Sequence, residues 1–177
     1  MILQRHCKMC WIRDNDISFR DLLHHARHRH LALFLLNLAL DLRIIQTLLR
    51  LGHKVILTLK EAPVYYAPTV WDVDRDPLLV DNLPESHIFK APAASKNELL
   101  RRLRENRLLI ISDGTGERLN LYRTSVTFSR AWKEADLILG KGWRAADMLL
   151  GTSQEFTRDI VCYWRDGNGF HIKLRKH

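Results

Sequence analysis

Apolar residues recur at a helical step along Leu36, Leu40, Ile44, Leu48 and Leu51, and Gly52 stands where a helix C-terminus favours a left-handed residue. A helix ending at Gly52 is predicted. Residues 54–59 (Lys-Val-Ile-Leu-Thr-Leu) are a short β-branched and apolar run, the pattern of a strand buried on both faces. Pro63, Pro68 and the Asp-rich stretch 71–76 then predict a long loop, and residues 86–90 a short strand. Ser95 with Glu98 forms a capping box, opening a helix that runs to about residue 106. Leu108-Leu-Ile-Ile111 is the clearest strand, and Ser112-Asp-Gly-Thr-Gly-Glu117 ends it. Ser125 is placed to cap a helix with Phe128, Trp132 and Ala135 on one face. Residues 136–139 read as a strand broken by Gly140-Lys141-Gly142, 143–150 as a helix, and 159–164 with 170–174 as strands around the turn at 166–169.

This alternation of helix and strand predicts an α/β fold, a three-layer α/β/α arrangement with a mainly parallel sheet, because parallel neighbours need helical crossovers. Residues 31–177 form the predicted domain, and the polar, His-rich residues 1–30 read as an N-terminal extension. In such sheets ligands sit at the carboxyl ends of the strands. Lys60, the Asp113–Gly116 turn and Gly140-Lys141-Gly142 all follow predicted strands there, so one edge would let them converge.

Composition narrows the function. With 46% apolar and 27% charged residues, a chain of 177 residues is a folded domain rather than a disordered or fibrous one. The formal charge of +8 calls for an anionic partner: a phosphorylated small molecule, nucleic acid or an anionic surface. The most apolar stretch, residues 31–40, is too short to span a bilayer, so no membrane crossing is expected. Three cysteines, Cys7, Cys10 and Cys162, and no hydrophobic leader argue for a reducing compartment, the cytoplasm.

The Gly140-Lys141-Gly142 turn suits a phosphate, since glycines allow close backbone approach while helix-start amides and an ammonium supply positive charge. A plain strand-to-helix turn with a solvated Lys has the same sequence. The Ser112–Glu117 turn offers carboxylates and hydroxyls to a divalent metal, or amides to a phosphate, and equally fits a surface loop. Arg123 and Ser125 follow closely enough to line the same pocket, and Asp136 reads as a turn acceptor. Cys7 and Cys10, with His24, His25, His28 and His30, approach two-Cys, two-His zinc spacing, but Asp14 and Arg20 stand where a finger needs its small apolar core, so an extension without zinc is expected. Arg27 to His30 could touch phosphates of nucleic acid, but no RNA-recognition or helix-turn-helix pattern accompanies them.

Ile111-Ser-Asp-Gly-Thr-Gly-Glu-Arg-Leu-Asn-Leu-Tyr-Arg-Thr-Ser125 followed by Glu134-Ala-Asp-Leu-Ile-Leu-Gly-Lys-Gly142 resembles the damage-control phosphatase family, the acidic-residue methyltransferase-like metal-binding domain also called domain of unknown function 89. Residues 40–60, with Pro63, Thr69 and Asp72, resemble the family's preceding helix, strand and loop. The resemblance implies an α/β/α, divalent-metal-dependent phosphatase (Mn, Co, Ni or Mg) acting on small phosphorylated metabolites such as sugar phosphates. It implies Lys141 and Asp113 as catalytic residues, Gly114, Gly116, Arg123, Ser125 and Gly142 as substrate contacts, and Asn37 with Asp113 as metal ligands. Two family carboxylates are replaced: Leu33-Phe-Leu-Leu-Asn37 stands in place of the first acidic motif, and Ala67 in place of a second Asp. Lost carboxylates remove charge and hard oxygen ligands, so an impaired phosphatase is expected. The alternatives are a non-catalytic phosphometabolite-binding remnant and, third, a basic nucleic-acid-binding module.

Overall fold

The computed structural model describes residues 30–34, 38–63, 69–73, 75, 86–89, 93–115, 120–151 and 158–176. Seven strands form one sheet in the order β3-β4-β2-β1-β5-β6-β7. In chain order the elements are β1 (His30–Phe34), α1 (Leu38–Arg50), β2 (Lys54–Leu59), β3 (Ser86–Phe89), α2 (Lys96–Glu105), β4 (Leu108–Ser112), α3 (Val126–Glu134), β5 (Leu137–Lys141), α4 (Trp143–Gly151), β6 (Asp159–Asp166) and β7 (Gly169–Arg175). The first six strands run parallel, and β7 returns antiparallel from β6. The fold is therefore α/β with a mixed, mostly parallel sheet, as the alternation of helix and strand requires.

Strand alternation sends successive side chains to opposite faces. Val55, Leu57 and Leu59 of β2, Leu108 and Ile110 of β4 and Leu137 and Leu139 of β5 join one core cluster with Leu42, Ile45 and Leu48 of α1. Their neighbours Ile56, Leu109 and Ile111 pack with Leu99 and Leu103 of α2 and Ala131 of α3, while Ile138, Ile160 and Cys162 pack with Phe128 of α3 and Ala146 and Leu149 of α4. Each of these fully buried aliphatic side chains contributes roughly 1.5–3 kcal/mol of transfer free energy. Burial on both faces is why the strands read as unbroken apolar runs rather than alternating ones.

Local signals set the element ends. Ser95 and Ser125 cap α2 and α3, their hydroxyls accepting from the Glu98 and Phe128 amides at 3.1 and 3.0 Å. Gly52 closes α1 at φ +85°, where a side chain would be strained.

Three expectations are corrected. Residues 30–34, where no strand was predicted, form β1, which lies in the middle of the sheet between β2 and β5. The apolar run is interrupted before α1 by Asn37 alone, and such a run does not distinguish buried strand from buried helix. Next, α1 buries Leu42, Ile45 and Leu48 while Leu51, just past its end, is exposed; a three-residue step falls about 60° short of a full turn at each repeat on a helix of 3.6 residues per turn, so continuing it to Leu51 leaves the core. Finally, Gly140 and Lys141 do not break β5 but belong to it, paired with Cys162 and Tyr163 of β6. No helix among the described residues is long and apolar enough to cross a membrane.

Candidate functional site at the carboxyl edge

The parallel register carries β2, β4 and β5 to the same edge of the sheet. Leu59 of β2 lies opposite Ser112 of β4, so the next residues of the two strands, Lys60 and Asp113, come side by side. Lys60 Nζ donates to Asp113 Oδ2 at 2.6 Å, with the two side chains only 9% and 4% exposed. Such a pair is costly to break, because either partner alone would be a buried, uncompensated charge.

The turn after β4 is braced from within. Asp113 Oδ1 accepts the Thr115 amide at 2.9 Å, Oδ2 also accepts the Thr115 hydroxyl at 3.2 Å, and Lys60 Nζ reaches Thr115 Oγ1 at 3.3 Å. The Asp113 amide donates to the Leu59 carbonyl, and the Gly114 amide to Ser112 Oγ, each at 2.9 Å. Ser112 Oγ in turn donates to Glu61 Oε2. Gly114 takes φ +79° and lies against Ser125, whose backbone N would be 2.7 Å from an added Cβ. Ser125 donates its hydroxyl to the Ser112 carbonyl at 3.2 Å while capping α3. Beyond β2, the Thr69 amide and hydroxyl donate to Asp72 Oδ2 at 2.7 and 2.9 Å, and Thr69 bridges to Lys60.

The turn after β5 is built differently. Half-buried Lys141 ends the strand, and Gly142 follows at φ +93°. The Gly142 amide donates to the Tyr163 carbonyl at 2.9 Å, and its own carbonyl accepts the first helical bond of α4 from Ala146 at 3.0 Å. Gly142 therefore occupies the cap position of α4 without a side chain, where α2 and α3 have serines. The first-turn amides of a helix point outward with partial positive charge, so a glycine-capped start next to a Lys suits an anion. Gly140 has a separate task, since an added Cβ would lie 2.9 Å from Leu149 Cδ1 and 3.0 Å from Cys162 Sγ. It lets α4 pack closely on β5 and β6.

The sequence-predicted residues thus fall into two groups. Asp113, Gly114 and Ser125 gather with Lys60 and Thr115 at the β2–β4 end; Lys141 and Gly142 stand at the β5 end, two strand positions from β2 and three from β4, or about 10 and 14 Å across the sheet. Arg123 is exposed on the turn between β4 and α3, its amide bonded to the Asn120 carbonyl at 2.9 Å. Asn37, Gly116, Ala67 and the Cys7, Cys10, His24, His25 and His28 segment lie outside the described residues. Sequence reasoning placed Lys60 at this edge but missed its partnership with Asp113 and the part played by Thr115.

Among the described residues no three His, Cys, Asp or Glu side chains gather as a metal ion would need. Both Asp113 oxygens already accept hydrogen bonds, one of them from an ammonium group. Hard divalent cations take about six or more oxygen ligands with at least one carboxylate free to coordinate, and the donors described at this edge do not fit one. Cys162 offers no nucleophile either, because burial pushes its thiol up to about 12 and keeps it protonated.

An α/β domain with its polar turns at the carboxyl edge of a mostly parallel sheet is the class that fold and site define. The crystal structure of a DUF89 family protein from Pyrococcus horikoshii shares this fold, with a TM-score of 0.61 at 18% sequence identity. The likeness covers 92% of this chain and 49% of that one, so this chain spans about half the length of its structural counterpart. No family model matches the sequence, and no curated protein does.

Proposed function

We propose that this chain binds small phosphorylated metabolites at the carboxyl edge of a three-layer, damage-control-phosphatase-like domain, with Lys141 and the glycine-capped start of α4 receiving the phosphate. The observation that carries this reading is the β5–α4 turn, where a strand-end Lys, a positive-φ glycine and the helix start that this glycine caps follow one another. Lys141 acts electrostatically, neutralising phosphate oxygen charge, and Gly142 lets the ligand approach the backbone. Arg123 supplies a second cation from the β4 side, and the Lys60–Asp113 pair fixes the turn that presents it. The fold likeness to a DUF89 protein and the resemblance of residues 111–142 to the phosphatase family support the substrate class.

Binding rather than turnover is the favoured reading, because Asp113 is committed to Lys60 and Thr115. Calorimetric titration with ribose 5-phosphate and fructose phosphates, in the presence and absence of Mn, Co, Ni or Mg, tests it. Binding without added metal that falls about tenfold or more in Lys141→Ala is the expected result. Undiminished binding by that variant would remove Lys141 from the site. Metal-dependent hydrolysis of the same sugar phosphates would establish the alternative reading, a divalent-metal phosphatase in which Asn37 and Asp113 act as ligands.

A further inference from the structure

We infer that the amino edge of the sheet docks the phosphate backbone of a nucleic-acid duplex, through Arg50, Lys54, Arg104 and Arg107. The inference is independent of the reading of the β5–α4 turn, since it concerns other residues at the opposite edge. α1 and α2 pack on opposite faces of the sheet and both end at the amino edge, where β2 and β4 begin side by side. Lys54 Nζ donates to the Leu103 carbonyl and, at 3.1 Å, to the Arg104 carbonyl at the end of α2. The Arg107 guanidinium donates to the Leu49 carbonyl at the end of α1, and the Arg107 carbonyl accepts the Val55 amide at 2.8 Å. Helix ends favour cations, and Lys54 and Arg107 meet that demand directly. Arg50 and Arg104 exceed it: both are exposed in the last turns of α1 and α2, and neither forms an ion pair among the described residues.

Little negative charge offsets these cations. The last turn of α1, residues 51–54 and residues 106–107 hold no carboxylate, and Glu105 in the last turn of α2 is shared by Arg101 and Arg102 at 3.4 and 4.0 Å. Like charges gathered in this way repel one another, and an anionic partner relieves the repulsion. The surface also selects among such partners. Arg50 and Arg104 stand on opposite sides of the sheet, so a single phosphate does not meet both, whereas a backbone carrying many does. The exposed aromatic rings among the described residues, Trp71, Tyr122 and Trp143, lie on segments that leave β2, β4 and β5 at the carboxyl edge. Unpaired bases therefore find no described ring to stack on at the amino edge. Leu51 is the large apolar side chain exposed there, and one such residue does not make the apolar core of a protein interface. A duplex, with its bases turned inward and its phosphates outside, fits cations that stand without rings.

Fluorescence anisotropy of the full chain with labelled, mixed-sequence DNA and RNA duplexes of about 20 base pairs tests the inference. Contacts from the four cations predict a loss of affinity on the order of 100-fold between about 50 and 200 mM salt. Arg50→Gln combined with Arg104→Gln should weaken binding about tenfold and flatten the slope of log affinity against log salt by about two, with the thermal melt unchanged. Arg43→Gln combined with Lys173→Gln removes the same charge from exposed positions elsewhere and should leave both quantities nearly as they were. Equal weakening by the two double variants would overturn the inference, because net charge alone would then account for binding. Failure of both duplexes to bind at low salt would overturn it too, as would tighter binding of a single strand of the same length, of polyglutamate or of phosphatidylserine vesicles. Titration of ribose 5-phosphate against Lys141→Ala tests the other edge separately.

Discussion

The two halves of the carboxyl edge use similar residues to opposite ends. At the β2–β4 end, the cation, carboxylate, hydroxyl and turn amides are spent on one another: Lys60 on Asp113, Thr115 on both, and the Gly114 amide on Ser112. At the β5 end, Lys141 is half-buried, the helix cap has no side chain, and a Trp stands exposed one residue further on. A polar turn whose groups satisfy one another holds a fold, whereas a helix start capped by glycine leaves room beside its first-turn amides.

The contrast can be broken most severely at the ion pair. Lys60→Ala or Asp113→Ala should each cost about 3–5 kcal/mol in urea unfolding, since each leaves a buried charge without its partner. The double change Lys60→Met with Asp113→Leu should recover most of that loss. Single variants losing under about 1 kcal/mol would show that this end is not structural.

Gly114→Ala comes next, with an expected loss of about 1–3 kcal/mol from the positive φ, and more if the Ser125 backbone cannot yield. Gly140→Ala should cost less, because one of its two close neighbours, Leu149 Cδ1, is the tip of a mobile side chain. Thermal melts of the two variants would rank them. At the other end, Lys141→Ala should weaken phosphate binding and cost less stability than Lys60→Ala, because Lys141 is half-buried where Lys60 is buried.

The smallest effect lies in the β6–β7 hairpin beyond β5. The hydrogen bond from His171, then that from the Asn168 amide, holds the Asp166 carboxyl below its ordinary range. A folded-state pKa that is depressed contributes stability above the unfolded value, and that stability is lost as pH falls through the folded one. Acid titration of hairpin amide exchange should show this loosening below the usual carboxylate range, and Asp166→Asn should remove that pH dependence.

Much of the architecture was legible because its signals are local. Ser95, Ser125 and Gly52 act on backbone groups within a few residues, and each ends its helix where the sequence indicated. The Lys60–Asp113 pair was not legible as a pair, because its partners are 53 residues apart and meet only through the Leu59–Ser112 register. Gly140 was misread for a related reason: its missing side chain answers to Leu149 and Cys162, which are distant in sequence. The central strand was hidden by its own uniformity. Sequence carries the caps and turns of this edge well and the pairing between its turns poorly, because pairing is a matter of which strand lies beside which.

The position of β1 has a last consequence. It pairs with β2 on one side and β5 on the other, so among the described residues it is the link in the ladder between the trio β3-β4-β2 and the trio β5-β6-β7. A protease cut or an alternative start that removed residues 30–34 would not trim an end of the molecule. It would unseam the sheet down its middle and separate the ion-paired turn from the turn with the exposed indole.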